Sequence, residues 1–183
     1  MRRILCSLAF VGVLGHVTIV PPILAEEFKL EPGFKFLFNG KDLTGWKLKS
    51  DGSSLDGKTE APKKRFQVID GKLVIDGKTR GNMIIETAHR FDKDVHIKFE
   101  FLPDDKCNND LYFRGNKFDI KRGDVKNLKP GAWHLFEIIV TGDKVEFKCN
   151  GEVQRVGKAK SASPLGIRAE FGAIQFRNIR YKE

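Results

Sequence analysis

The chain has 183 residues, with 33 lysines and arginines against 24 aspartates and glutamates, for a formal charge of +9. No run of five like charges occurs, so the excess indicates a solvated basic surface, and no nucleic-acid partner is expected. After the N-terminal segment, no stretch is long and apolar enough to span a bilayer.

The first predicted element is a secretory signal peptide over residues 1–25. Two arginines precede an apolar stretch, which is followed by a pair of prolines and by Ala25. That order is typical of an export signal, whereas an uncleaved membrane anchor is disfavoured by the glycines and prolines. We therefore expect an exported protein, periplasmic or extracellular, with one domain over residues 26–183 and no membrane contact after cleavage.

Residues 48–65 form the next recognisable segment, because they are the one long polar stretch of the chain. A loop of this length inside a compact domain is usually functional or disordered. The sequence favours a mobile flap at one end of the domain.

From residue 66 onward, the chain consists of short alternating runs separated by turn dipeptides. Asp70-Gly71, Gly142-Asp143 and Asn150-Gly151 each separate two such runs. Dipeptides of this kind favour tight hairpins, since type I′ turns need positive φ at both central residues. About ten strands and no helical stripe predict an all-β fold, a two-sheet antiparallel β-sandwich or jelly roll.

The two cysteines that follow the signal segment, Cys107 and Cys149, leave two alternatives open. Export makes a disulfide chemically possible, and the two cysteines are also compatible with buried free thiols. No CxxC spacing is present, so the sequence does not identify a metal site.

An unusual polar set lies in the stretch DLYFRGNKFDIK, residues 110–121. The alternation on both sides of Gly115-Asn116 places two carboxylates, a phenol and two cations on one face of the predicted hairpin. These are Asp110, Tyr112, Arg114, Asp119 and Lys121. With Glu100 added from the preceding strand, we expect Glu100, Tyr112, Arg114 and Asp119 to project from the same sheet face. The opposite positions should then be buried together between the sheets: Val95, Ile97, Phe99, Phe101, Leu111, Phe113, Phe118 and Ile120.

Several segments together resemble the 3-keto-disaccharide hydrolase domain family over nearly the whole chain after residue 25. The resemblance rests on FLFNGKDLTGWKL (36–48), FQVIDGKLVI (66–75), HIKFEFLP (96–103), NNDLYFRG (108–115), WHLFEIIVTGDKVEFKCNGE (133–152) and FRNIRYKE (176–183). It implies a concanavalin-like jelly roll, usually exported, that acts on glycosides oxidised at C3 of the sugar.

The resemblance carries over to individual positions in part. Glu100 stands where the family has the Glu of an E-F-R element, although Leu102 replaces the Arg. In the family's Asn-Ser-Gly element, Asn108 matches and Asp110 does not.

Further along, Tyr112 and Arg114 fall in the family's aromatic-x-Arg-Gly run, while Asp119 and Lys121 stand where Glu and Gln are common. The loop before Trp133 is shorter than usual. Residues 168–172, RAEFG, replace a common Gln-Asp-His-Gly.

The chemistry that the resemblance implies defines roles for these residues. A C3 ketone acidifies the C2 proton, a base removes it, the aglycone at C1 is expelled, and water adds back. The implied catalytic residues are Glu100 and Asp119 as bases and Tyr112 as acid; the implied substrate-binding residues are Arg114, Lys121, Asn108 and Asp110. A divalent metal beside the enolate oxygen is possible chemistry for such a site. The alternative is a non-catalytic carbohydrate-binding or surface-interaction module of the same fold.

Overall fold

A computed structural model describes residues 28–183, so the predicted signal peptide lies outside the described residues and export stays a prediction. The described chain contains thirteen strands, no α-helix and one 3-10 turn at Pro62–Lys64. The strands are β1 (Lys35–Phe36), β2 (Trp46–Leu48), β3 (Gln67–Ile69), β4 (Lys72–Ile75), β5 (Met83–Thr87), β6 (Val95–Pro103), β7 (Asn108–Phe113), β8 (Asn116–Lys121), β9 (His134–Thr141), β10 (Lys144–Cys149), β11 (Glu152–Lys158), β12 (Gly166–Phe171) and β13 (Ile174–Lys182). Over this part of the chain, no helix has the length and apolarity to cross a membrane.

The strands form two antiparallel sheets. The larger has eight strands in the order β11-β10-β9-β6-β13-β4-β3, with β1 also paired to β13. The smaller has five strands in the order β2-β5-β12-β7-β8. The predicted two-sheet antiparallel β-sandwich is therefore confirmed.

Phenylalanines from both sheets fill the space between them. Phe118 of the smaller sheet lies 5.0 Å from Phe136 of the larger, and Phe99 stacks on Phe136 at 5.2 Å between ring centroids. All eight side chains predicted to be buried together are at most 3% exposed. Alternation with period two therefore identified the core positions of both sheets correctly.

The three predicted hairpin turns are also confirmed. Ile69 pairs with Lys72 across Asp70-Gly71, and equivalent pairs close over Gly142-Asp143 and Asn150-Gly151. The hairpin of residues 110–121 differs by one residue, because Phe113 pairs with Asn116 and the turn is Arg114-Gly115. Both turn residues have positive φ, +47° and +77°, as a two-residue type I′ loop requires.

The long polar stretch is not the free flap that its composition suggested. Leu55 and Ala61 are buried at 0% and 2% exposure, and Ser54 bridges to Lys47. Leu55 also donates its N–H to the Trp46 carbonyl. Two apolar side chains within eighteen polar-looking residues anchor the segment to the core, so the prediction of a mobile flap is wrong.

The two cysteines are separate buried thiols. Cys107 precedes β7 in the smaller sheet, and Cys149 ends β10 in the larger sheet. Burial raises the pKa of each thiol to about 11. Of the two alternatives that the sequence left open, the structure has the free thiols.

Candidate functional site on the five-stranded sheet

The outward face of the smaller sheet brings four charged side chains together. Asp110 of β7 lies directly opposite Asp119 of β8 and opposite Arg168 of β12 in the strand register. Lys117 shares the outward side of β8 with Asp119 because the two are separated by two residues. We call Asp110, Asp119, Lys117 and Arg168 the carboxylate cluster.

Asp110 is the centre of this cluster and is fully buried although it points away from the core. Its Oδ2 accepts hydrogen bonds from Arg168 at 2.8 Å and from the Tyr112 hydroxyl at 3.3 Å. Lys117 Nζ lies 3.3 Å from the same oxygen. The other oxygen of Asp110, Oδ1, is buried and has no hydrogen-bond partner among residues 28–183. A buried acceptor left unpaired is costly, so this oxygen is a feature that folding alone does not favour.

Asp119 is the more accessible carboxylate of the cluster. Lys117 Nζ donates to its Oδ1 at 2.6 Å. Burial acts to raise the pKa of Asp119, but the hydrogen bond from Lys117 and the charges of Lys117 and Lys121 outweigh burial and hold that pKa below its ordinary value. The hydrogen bond to Asp119 in turn raises the pKa of Lys117. At neutral pH, the cluster therefore presents an ionised carboxylate beside a permanent cation.

A cleft of about 470 Å³ opens at the Tyr112 end of the cluster. Tyr112, Lys117, Glu86 and Lys49 line it, and Lys49 Nζ lies 5.0 Å from the centre of the Tyr112 ring. Gly166 stands opposite Tyr112, where a Cβ would approach the Tyr112 Cβ to 3.4 Å.

Glu100 does not join this cluster, so the predicted common face is wrong for it. Glu100 belongs to β6 and projects from the outer face of the eight-stranded sheet, where Arg177 Nε donates to it at 2.6 Å and Asn178 at 3.2 Å. Alternation distinguishes inward from outward positions, but it does not say which of two sheets a strand joins. A catalytic role for Glu100 stays a prediction.

Arg114 also leaves the predicted face, because it occupies the first position of the hairpin turn. Its side chain is directed to backbone carbonyls, with Nε donating to Lys160 at 2.9 Å and Nη1 to Phe91 and Lys93 at 3.2 and 3.3 Å. The residue is 8% exposed and lies at the rim of the Tyr112 cleft. The guanidinium of Arg114 therefore links the loop that contains Phe91 and Lys93 to the loop that contains Lys160. Among the described ion pairs, Arg114 forms no salt bridge with Asp119.

The remaining predicted substrate-binding residues lie at the edge of the cluster. Asn108 lies opposite Lys121 in register, and its buried Oδ1 has no hydrogen-bond partner in the described part of the chain. Lys121 Nζ lies 3.5 Å from Asp124 in the following turn. Both point outward on the smaller sheet, as predicted, although neither contacts the Tyr112 cleft directly.

Three residues of the site were not selected from the sequence: Lys117, Arg168 and Glu170. Lys117 alternates with Asp119 on β8, so the period-two pattern of the sequence was the signal that could have found it. Arg168 donates to Glu170 at 3.1 Å as well as to Asp110. Nothing in the local sequence indicates that β12 is the neighbour of β7.

The cluster is suited to proton transfer beside a cation. An ionised Asp119 is a base, Lys117 can stabilise a developing oxyanion, and the Tyr112 hydroxyl is a proton donor within the same face. Within residues 28–183, no group of three histidine, cysteine or acidic side chains is arranged to hold a metal ion.

Comparison with solved structures first defines the fold class, a two-sheet antiparallel β-sandwich. A protein of Parabacteroides distasonis named as a candidate glycosyl hydrolase is 19% identical, with 82% of this chain and 93% of that chain covered and a TM-score of 0.65. A laminarinase from Flavobacterium sp. UMI-01 is 15% identical over 82% of this chain and 98% of its own, with a TM-score of 0.53. The carbohydrate binding module CBM66 from Bacillus subtilis is 11% identical over 77% and 97%, with a TM-score of 0.51. At these identities, the likeness shows the fold alone.

The family follows from a match to the sequence itself. The 3-keto-alpha-glucoside-1,2-lyase-like domain matches residues 33–127, which include β7, β8 and most of the polar face. The chain belongs to this family, as its resemblance to the 3-keto-disaccharide hydrolases predicted. No curated protein matches the chain.

Proposed function

We propose that this domain cleaves 3-keto-glycosides at the outer face of its five-stranded sheet. The observation that carries the proposal is the carboxylate cluster, in which Lys117 donates to Asp119 at 2.6 Å and itself lines the cleft that contains Tyr112. Membership of a family described by 1,2-lyase chemistry supports the reaction type.

The proposed reaction needs three groups, and the polar face supplies each of them. Asp119 accepts the C2 proton, and the electron pair of the C–H bond forms the enolate of the C3 ketone. Lys117 stabilises the enolate oxygen by charge and hydrogen bonding. Collapse of the enolate breaks the C1–O bond, and Tyr112 gives a proton to the departing oxygen. Addition of water across the resulting C1–C2 double bond completes a net hydrolysis.

Incubation with a 3-keto-disaccharide, followed by measurement of free sugar, tests the proposal. We expect release above the blank, with a pH dependence set by ionisation of the cluster. The assay is run with and without added divalent cations, so that a metal requirement does not hide activity. Absence of release in every arm would contradict the catalytic proposal.

A non-catalytic sugar-binding role is the second candidate, and one observation favours it. Lys117 contacts both Asp110 and Asp119, so each carboxylate is already neutralised in the resting site. A paired carboxylate is a weaker base than a free one. Calorimetric binding of the keto-disaccharide without any sugar release would select this role.

A further inference from the structure

Phe171 is the most exposed large apolar side chain in the described part of the protein, at 60%. It ends β12 opposite Asn108, on the sheet that carries the carboxylate cluster. An exposed ring contributes little to folding by burial, and single exposed apolar residues are common. Phe171 differs from an ordinary exposed apolar residue because buried polar side chains fix the backbone that presents it.

A wholly buried amide fixes the backbone that presents Phe171. Asn109 donates from Nδ2 to the Phe171 carbonyl at 3.0 Å and accepts from the Glu170 N–H at 2.9 Å. These bonds fall where the pairing of β12 with β7 is interrupted by a bulge between Arg168 and Phe171. Bulges often redirect side chains beside functional sites, and here a buried polar residue stabilises the redirected strand.

A buried arginine joins this backbone to the neighbouring loop. Arg65 is 2% exposed, and its Nη2 donates to the Glu170 carbonyl at 3.3 Å. Its Nη1 donates to the carbonyls of Asp76, at 3.3 Å, and Thr79. One guanidinium therefore fixes the loop at residues 76–79 against the end of β12.

Gly172 allows the end of β12 to pass close to the backbone of Lys106 and Cys107. Its φ is +70°, and a Cβ there would lie within 2.5 Å of the backbone of Lys106 and Cys107. Only glycine allows the chain to pass so closely. The end of β12, the loop at residues 76–79 and the Lys106 segment together line an open cleft of about 610 Å³. Phe171 forms one side of this cleft.

Charges around this cleft are predominantly positive. Lys78, Arg80 and Lys106 line it, and none of their side chains forms a salt bridge within residues 28–183. Of its two acids, Glu170 pairs with Arg168, whereas Asp104 accepts the backbone N–H of Lys106 at 2.9 Å and keeps its charge, so three cations stand against one unpaired acid. The cleft is thus lined both by cations without a salt bridge in the described chain and by an exposed aromatic ring.

We propose that this cleft is a second sugar subsite, which binds a saccharide unit carrying an anionic substituent. The ring face of the sugar packs on Phe171, and its carboxylate or sulfate lies against Arg80 and the two lysines. Gly166 at the Tyr112 cleft and Phe171 lie at opposite ends of β12, about 17 Å apart at strand spacing. A ligand that fills both clefts is therefore an oligosaccharide. That the ligand is a saccharide rests on the proposed function.

Isothermal calorimetry with three oligosaccharides of equal length tests the inference: one neutral, one containing uronate and one sulfated. We expect an acidic ligand to bind at least about tenfold more tightly than the neutral one and to weaken with added salt. Preference for the uronate or for the sulfated ligand identifies the anion. Phe171→Ala and Arg80→Ala should each weaken acidic-ligand binding by about tenfold.

Matched controls separate the subsite from general surface effects. Phe36→Ala removes another exposed ring, and Lys158→Ala removes an exposed cation; each should change affinity less than about twofold. Equal affinity for neutral and acidic ligands, or unchanged binding by Phe171→Ala, would overturn the inference. Sugar release from a 3-keto-disaccharide is measured on the same variants. Intact release with failed acidic binding rejects the subsite alone, whereas intact acidic binding without release rejects the catalytic proposal alone.

Discussion

The outer faces of the two sheets carry similar residues in different arrangements. On the eight-stranded sheet, Glu100 pairs with Arg177 and remains partly solvated, with 18% of its side chain exposed. On the five-stranded sheet, Asp110 has lost all contact with solvent and is contacted by two cations and a phenol. Both faces follow the same alternation along their strands. The difference teaches that complete burial of an outward carboxylate, more than the number of charges, distinguishes the candidate site.

The physical reason is the cost of removing a charge from water. A partly exposed ion pair such as Glu100 with Arg177 keeps much of its hydration and contributes little to stability. A buried carboxylate needs partners for nearly all of its lone pairs, and one oxygen of Asp110 has none. Such an arrangement is retained more readily where it serves binding or chemistry.

The largest expected effect distinguishes the two arginines that border these faces. Arg114→Ala should lower the free energy of unfolding by about 3 kcal/mol, because it leaves buried carbonyls without donors. Arg177→Ala should cost less than about 1 kcal/mol, since its side chain is 41% exposed. Urea denaturation of both variants measures the difference. Equal losses would mean that Arg114 does not secure the loops as its contacts indicate.

The next effect concerns turnover and compares one acid from each face. Asp119→Asn should reduce sugar release from a 3-keto-disaccharide by at least about 100-fold, because general-base catalysis contributes about that much. Glu100→Gln should leave the rate within about twofold, since it lies on the other sheet. A large loss of sugar release in Glu100→Gln with little loss in Asp119→Asn would mean that the active site lies on the outer face of the eight-stranded sheet. Thermal melts of both variants verify that the fold is retained.

The smallest effect is a change in the pH dependence of stability. A hydrogen bond from Arg180 is the main cause that lowers the pKa of Glu31 from 4.5 to about 2. Since the folded pKa is lower than the unfolded one, the stabilisation is present above about pH 4.5 and is lost as the pH falls toward 2. Glu31→Gln should therefore destabilise the protein at pH 7, and its difference from wild type should shrink on acidification.

Thermal melts from pH 7 down to pH 2 follow that difference. A gap that stays constant over the whole range would contradict the Glu31–Arg180 assignment. The same experiment with Asp119→Asn extends the comparison to the five-stranded face, where the carboxyl pKa is also lowered.

The core could be predicted from sequence because burial follows a local rule. Phe99 and Phe113 occupy alternate positions within continuous strands, so their inward direction is fixed by the backbone. The hairpins over Asp70-Gly71 and Asn150-Gly151 were equally local, since positive φ is a property of the turn residues themselves. The turn at Arg114 was misplaced because arginine seldom adopts positive φ, and glycine at the next position drew the prediction forward.

The site depended on information that no local rule contains. Asp110, Asp119 and Tyr112 were found because one hairpin carries all three. Arg168 lies 58 residues from its partner Asp110 along the chain, and only the strand order brings the two together. Glu100 was assigned to the wrong face for the same reason, because sheet membership is set by long-range pairing.

The two buried cysteines allow local opening of the two sheets to be measured by thiol labelling. Cys107 adjoins the five-stranded sheet and Cys149 lies in the eight-stranded sheet, and with a pKa of about 11 each is almost entirely protonated at neutral pH. A thiol-modifying reagent therefore reacts appreciably only when local opening admits it. The rate of labelling at each cysteine reports how often its own sheet opens, so the unaltered protein carries one kinetic reporter in each layer of the sandwich.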